Sequence, residues 1–427
     1  GDSEYVVIDA YRLPVALDLL AIYPHAHYLG RQMQVTATHP DGMVQTLLRI
    51  DDWDFNWQDE YRYREPPHLP ARTRIEMRYV YDNSANNSKN PHSPPAPVVF
   101  GPRSTDEMAQ LLLQTLPAGE EDRQVLQQSL QLKSARDEIL GYQARVRRDS
   151  GDYESRTGLA VRYLEVGQMD AATDELREAI RLAPEFPDAH YNLGGVLQSQ
   201  GATFQAIAAY RQAIAFDPTY GEAHNNLGAL LENTGDHANA VAHYRLAIEF
   251  QPRLAAGHFN LANALMMGNR DDAAFDEAVA ELNRAVELDP NYIEAHSRLG
   301  GLYVGDGQLR EGIAEYRKAL ALDPSHVRAL VELAWLLATA PESGMRDAVE
   351  ALELVRRATP LLGEEHPVLL DTLAAAYATN GRFEEALETA RRAAELSRLT
   401  PGFEARAPLI EQRLGSYLAH RPFRMPR

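Results

Sequence analysis

Short runs in which apolar and polar residues alternate fill the first hundred positions: "EYVVID", "MQVTATHP" and "RIEMRYVYDN" are separated by "HPDG", "EPPHLP" and "NPHSPPAP". A period of two with proline and glycine at the breaks predicts strands with one face on a core, and the set predicts a small antiparallel β-sandwich. From about Ser104 the spacing changes to the three-and-four rhythm of amphipathic helices, and the predicted boundary lies near "FGPRSTDEM". "EDRQVLQQSLQLKSARDEILGYQARVRR" then reads as one or two joining helices.

Beyond that helical stretch the pattern repeats. Pro184, Pro218, Pro252, Pro290 and Pro324 recur at intervals of 34, 34, 38 and 34 residues, and "AHYNLGGVL", "AHNNLGALL", "GHFNLANAL" and "AHSRLGGLY" recur with them. This text resembles the tetratricopeptide (TPR) repeat, and the resemblance implies a pair of antiparallel helices per unit. Small residues at Gly194, Gly228, Ala262 and Gly300, and at Ala206, Ala240, Ala278 and Gly312, let the two helices of a unit approach closely. Units start near Tyr153, Phe186, Gly221, Ala255, Tyr292, Val327 and Pro367, about seven in all, with insertions at "MMGNRDD" and "ATAPESGMRD" in turns, where added length costs little. "APLIEQRLGSYLAH" reads as a capping helix.

Composition narrows the function classes. Lys plus Arg is 42 against 61 for Asp plus Glu, a net charge of -19, so a phosphate backbone is repelled and nucleic acid is not expected as a partner. The absence of cysteine removes thiolate metal sites, catalytic cysteines and disulfides. No apolar run reaches the roughly 20 residues of a membrane span. The opening "GDSEYVVIDA" has no initiator Met and reads as a mature or truncated piece.

Candidate chemistry lies in "YPHAHYLG", where His25 and His27 are two apart on a predicted strand and project from one face. By spacing alone this is a metal-ligand pair or two polar histidines on a solvated face. The order "YPHAHYLG", "WDFNWQDEY", "LPARTRIEMRYVYDNSANNSKNP", "STDEM" resembles the carboxy-terminal domain of the copper type II, ascorbate-dependent monooxygenases, the peptidylglycine and dopamine hydroxylases. The resemblance implies a jelly-roll-like, partial sandwich holding one copper on His25, His27 and Met108, with ascorbate as reductant and a compartment outside the cytoplasm, periplasmic or extracellular. Imidazoles suit copper in either state and a thioether favours the reduced ion. Met108 as core filler is the alternative. The family's three-histidine copper domain is not in this chain, so the chain alone is not expected to hydroxylate by the two-copper route. Tyr23 and Leu112 stand where the peptide hydroxylase has its substrate-seating arginine and tyrosine, which argues against a glycine-extended peptide as substrate. His39, His68 and His92 fall in Pro-rich loops and read as solvent-exposed, with His92 able to approach the pair.

Two ladders run through the repeats. His190, His224, His258 and His296 occupy one position of successive units; helices stand roughly 8–10 Å apart and metal bonds are about 2 Å, so these residues read as packing groups. Asn192, Asn226 and Asn260 recur on the first helix of each unit, as in the repeat domain of the O-linked N-acetylglucosamine transferase, to which the array is similar in this respect. Such carboxamides bind the main chain of an extended peptide, or bond to a neighbouring helix or water. Arg298, Glu332 and Thr372 end the ladder.

The expected organisation is a truncated copper-monooxygenase-like sandwich (1–117), a helical linker (118–152), an all-α TPR solenoid (153–400) and a capping helix with tail (401–427). Two functions follow. One is the carboxy-terminal part of a copper monooxygenase-like protein whose repeats bind a partner. The other is a non-enzymatic scaffold that binds proteins or peptides in the concave groove of the repeats.

Overall fold

The computed structural model describes residues 3–54, 59–95, 109–267 and 271–426. The chain divides into two compact units, Gly1–Leu182 and Ala183–Arg427.

In the first unit the alternating text forms β1 (Tyr5–Arg12), β2 (Leu17–Ala26), β3 (Gly30–Thr38), β4 (Val44–Ile50), β5 (Tyr61–Arg62), β6 (His68–Leu69), β7 (Arg74–Tyr81) and β8 (Ala109–Pro117). One sheet has the order β1-β7-β3-β4; in the other, β2 pairs with β8 along one edge and with the short β5 and β6 along the other, every pairing antiparallel. β3 shows why the pattern folds this way: Met33, Val35 and Ala37 are buried while the residues between them are half-exposed. Its turn into β4 uses Gly42 at φ 89°, where a Cβ would meet none of the described atoms within 4 Å, so the backbone angle alone selects glycine. Leu17, Leu19 and Ile22 of β2 meet Val35, Ala37 and Ile75 of the other sheet in one cluster with Leu126.

Among the described residues, the helical period expected from Ser104 first appears at Glu120. β8, "AQLLLQTLP", is a strand bonded to β2 along its length. Its leucine run has no alternation in sequence, yet Leu111 and Leu113 pack on the core while Leu112 and Leu116 stay exposed. An apolar run of this length does not declare its period. One unbroken helix follows, α1 (Glu120–Arg148), acidic in its first turn and basic in its last, which matches the helix dipole at both ends. The unit ends with α2 (Tyr153–Glu165), capped by Asp152, and α3 (Met169–Leu182).

The second unit is helical throughout: α4 (Pro187–Ser199), α5 (Thr203–Phe216), α6 (Gly221–Asn233), α7 (His237–Phe250), α8 (Ala255–Met267), α9 (Asp272–Leu288), α10 (Ile293–Gly305), α11 (Leu309–Leu322), α12 (Val327–Thr339), α13 (Ala348–Leu362), α14 (Pro367–Thr379), α15 (Phe383–Leu399) and α16 (Ala407–Leu418). Even-numbered helices open each pair and odd-numbered ones close it. The tight turn inside a pair places a glycine at positive φ in Gly201, Gly235, Gly307 and Gly381. Close approach also selects glycine at Gly194, where a Cβ would sit 2.7 Å from the buried ring of Tyr210. Met425 N–H donates to Thr339 O and Arg424 to Ala338 O, which fastens the tail to α12. Among the described residues no helix is long and apolar enough to cross a membrane.

Candidate functional site

His25 lies near the end of β2 and His27 just beyond it. A bulge between Leu19 and Ala21 resets the alternation of β2, so Ile22, Pro24 and Ala26 turn inward and His25 shares the outward side with exposed Tyr23. His27 is 4 % exposed. The two rings stand edge-on with centroids 5.0 Å apart, and their Nε2 atoms converge to 3.2 Å. An ion about 2.0–2.1 Å from each of two imidazole nitrogens in tetrahedral geometry sets those nitrogens about 3.3 Å apart, so the pair has a spacing a single ion could use. The same distance also suits one N–H···N hydrogen bond between neutral rings. The expected third ligand, Met108, lies outside the described residues; Ala109, next in sequence, opens β8 opposite Ala26. Under the pair, Ala26 packs with Met33, Trp53, Tyr79 and Tyr81. Burial pushes the Tyr79 phenol upward, and its hydroxyl donates to Gln110 O at 2.8 Å on the strand that flanks His25. Among the described residues no three His, Asp or Glu side chains come together as a metal site.

The other loop histidines divide. His68 is exposed and bonds Asp18 at 2.8 Å, and the backbone of His92 donates to Asn90. His39 does not match its expected exposure: it is 8 % exposed, its Nε2 facing Gln45 Oε1 at 3.3 Å, because the β3–β4 hairpin folds the ring back onto its own ladder.

In the repeats the asparagines sit half-buried on the outward stripe of the first helices. Asn192 Nδ2 donates to Asp188 O one turn back at 2.8 Å. Asn226 Nδ2 reaches the hydroxyls of Tyr191 and Tyr210 at 3.3 and 3.4 Å, and Asn260 Nδ2 donates to Asn225 Oδ1 at 2.9 Å. Asn226 and Asn260 therefore tie each first helix to the one before it. One turn further along the same stripe come Gly195, Ala229, Asn263 and Gly301, none larger than an asparagine and none fully buried, until Trp335 takes the position.

The histidine ladder does more than pack. Nε2 of His190, His224, His258 and His296 stands 2.8–3.1 Å from the carbonyl of Pro184, Pro218, Pro252 and Pro290, the proline six residues earlier that marks each unit. We assign a proton to Nε2 in all four, since a carbonyl only accepts, and one to Nδ1 as well where a carboxylate faces it, at His258 and His296. The opposite nitrogen meets the second helix of its pair: His243 Nδ1 lies 2.9 Å from His224, the Glu281 carboxylate bonds His258, and Glu315 lies 2.6 Å from His296. The signal was present in sequence as His and Pro always six apart, a spacing that carries meaning only once the turn is known.

Models of known families match this region. One described as "TPR repeat" matches residues 162–201, 199–235 and 274–307, and two described as "Tetratricopeptide repeat" match 221–254 and 297–366. No curated protein matches the chain. Among solved structures it is similar to YrrB, described as a TPR protein with an unusual peptide-binding site, at 19% identity over 44% of this chain and 95% of that one, TM-score 0.36. It is similar to MamA from Desulfovibrio magneticus RS-1, at 21% identity over 41% and 96%, TM-score 0.35. A thermophilic TPR protein of Thermus thermophilus shares 24% identity over 43% and 97%, TM-score 0.34.

Proposed function

We propose that this chain, whose helical array carries tetratricopeptide repeats within residues 162–366, is a scaffold that holds an extended segment of a partner protein along the first-helix face, the concave side of such an array. The observation that carries this reading is the stripe on which Asn192, Asn226 and Asn260 alternate with Gly195, Ala229, Asn263 and Gly301. Gly195, Ala229 and Gly301 leave a backbone-wide floor, and the carboxamide oxygens, that of Asn263 included, and neighbouring tyrosine hydroxyls supply polar edges without demanding one side chain. Asp188, Glu222 and Glu294 stand one turn before this stripe, so a segment without acidic residues fits best. The test is selection of binding peptides from a displayed library, followed by calorimetry on wild type and Ala229→Arg. An affinity loss of tenfold or more supports the groove; equal affinity for both sinks it.

A second reading is favoured by the 3.2 Å approach of His25 and His27. In it the two sheets are a partial jelly-roll-like sandwich resembling the copper type II monooxygenases, and His25, His27 and Met108 hold one copper outside the cytoplasm. Copper would supply oxygen chemistry there; the residues of this chain would only hold and orient it. Titration with Cu(I) distinguishes the readings. One-to-one binding lost in His25→Ala and weakened in Met108→Ala supports copper, and binding unchanged by either substitution removes it.

A further inference from the structure

A sheet edge of bare backbone is a template for another strand, and proteins guard such edges with charges or keep them short. Among the described residues β1, β4, β5, β6 and β8 each pair on one side only. β5 and β6 are two residues long. β1 carries Asp9 and Arg12, with Asp9 held by Lys133 at 2.8 Å, and β4 carries Arg49. β8, "AQLLLQTLP", runs for nine residues without a charge, in a chain of net charge -19. Leu112 and Leu116 on its outer face are 54 % and 56 % exposed, and exposed Tyr23 stands opposite Leu112 on β2. The space beside the strand is open as well: a groove of about 550 Å³ is bounded by Gln110, Leu111, Leu112 and Leu113 in succession and by Leu126 and Leu130 of α1. Consecutive residues point to opposite faces of a sheet, so a groove that meets all four runs along the edge rather than over one face.

Pro24 shows which main-chain groups point that way. It pairs with Leu111 and has no N–H to give, so this is a non-hydrogen-bonded pair, and by alternation the pair of Ile22 with Leu113 is another. The Tyr79 hydroxyl agrees: it donates to Gln110 O and also meets the main chain of His25, across the bonded pair between them. Leu111 and Leu113 therefore turn their N–H and C=O groups away from β2, toward the open edge. The text around them is a palindrome, "QLLLQ", centred on Leu112. When two copies lie antiparallel about an axis at Leu112, Leu111 of each faces the partner's Leu113, and the outward groups of both strands make four main-chain hydrogen bonds. Leu112 then meets the partner's Leu112 beside Tyr23, and Gln110 meets the partner's Gln114. A strand without charges is also where a chain this acidic can meet its own copy with no like charges opposed across the joint.

We propose that β8 is a self-pairing edge through which two copies of this chain join their β2–β8 sheets about a two-fold axis at Leu112. The inference stands apart from the groove on the repeats. The full chain has no cysteine, so Leu112→Cys alone would set two thiols opposite each other, in a pair whose Cα atoms lie about 4.5 Å apart. Leu116→Cys is the control: it is equally exposed, but four residues from the axis put its two thiols about 26 Å apart. Mild oxidation is expected to link at least tenfold more dimer in the first variant than in the second. Sedimentation across a dilution series is expected to show a reversible dimer. Gln110→Lys with Gln114→Lys, both at exposed positions, opposes lysine to lysine and is expected to weaken that dimer at least tenfold, whereas Gln110→Glu with Gln114→Lys opposes unlike charges and keeps it. A chain that stays monomeric at every concentration overturns the proposal and leaves the edge to a strand of another protein. Equal linkage at both cysteines, or a dimer that responds alike to the two charge pairs, overturns it by placing the contact elsewhere.

Discussion

Replacing Gly194 with alanine sets two effects of known size against each other. Alanine is the better helix former by about 1 kcal/mol in a helix interior. Against that, a Cβ on Gly194 would lie 2.7 Å from Cδ1 and Cε1 of Tyr210 and 3.1 Å from Cζ, well inside contact distance. The ring cannot step aside: Tyr210 is 1 % exposed and its hydroxyl is tied to Gln198 Oε1 at 2.9 Å. Overpacking of this kind costs about 1–3 kcal/mol, so the clash wins and the net expectation is a loss of about 1 kcal/mol. The repeats themselves contain the control. Gly228 faces Tyr244 and Gly300 faces Tyr316 in the same way, whereas two of the units that carry alanine at this position, those of Ala160 and Ala262, have Leu176 and Leu282 in place of the tyrosine. Gly194→Ala is therefore expected to stabilise by about 0.5–1 kcal/mol in a Tyr210→Leu background, a coupling of about 2 kcal/mol in the double-mutant cycle. Urea unfolding of the four proteins, followed by far-ultraviolet circular dichroism, measures it. An equal effect of Gly194→Ala in both backgrounds would refute the argument.

Two further outcomes follow from the histidine ladder. Burial, then His224 and then Arg211, hold His243 below its ordinary 6.5. A depressed base binds its proton more readily once unfolded, so stability is complete above pH 6.5 and is lost as pH falls toward the depressed folded value. His243→Gln should flatten that part of the stability profile, and an unchanged acid slope would show that another group sets it. His296→Leu leaves Pro290 O and Glu315 Oε2 without the imidazole at 3.1 and 2.6 Å; the expected loss is about 2–3 kcal/mol in urea, and a change under about 0.5 kcal/mol would mean solvent replaces both bonds.

Much of the fold was readable because the repeat leaves its register in single residues. Pro184 to Pro324 mark the units, and helices begin at Tyr153, Gly221, Ala255, Val327 and Pro367, where the period sets them. The strand β8 was not readable, since three adjacent leucines carry no alternation and its partner β2 lies some ninety residues away. The histidine pair was visible as text, but its 3.2 Å convergence depends on a bulge a few residues upstream that no local pattern announces. The buried ion pair of Asp371 and Arg413 was invisible for a different reason. The two are 42 positions apart, in a unit and a capping helix that share no period, and only burial separates them from ordinary surface charges.

The connectors between pairs have a consequence for how such a chain can change over time. Residues 217–220, 251–254, 289–292, 323–326 and 363–366 are four long in every case, while the turns inside pairs range from three residues at 234–236 to eight at 340–347. Where the histidine clasps the proline carbonyl, that four-residue link is closed from both sides, and a residue added there would pull the clasp open. Among the described residues no histidine clasps the turn inside a pair in this way, and the longest such turn, 340–347, is instead closed by Arg346, which donates to Ala340 O and Pro341 O. Duplication or excision of a block such as 221–254 therefore regenerates an intact junction, whereas small insertions survive at one of the two turns only. Lineages of this array can be expected to differ by whole cassettes and by the length of inner turns, with the junction itself serving as the fixed cut-point of inheritance.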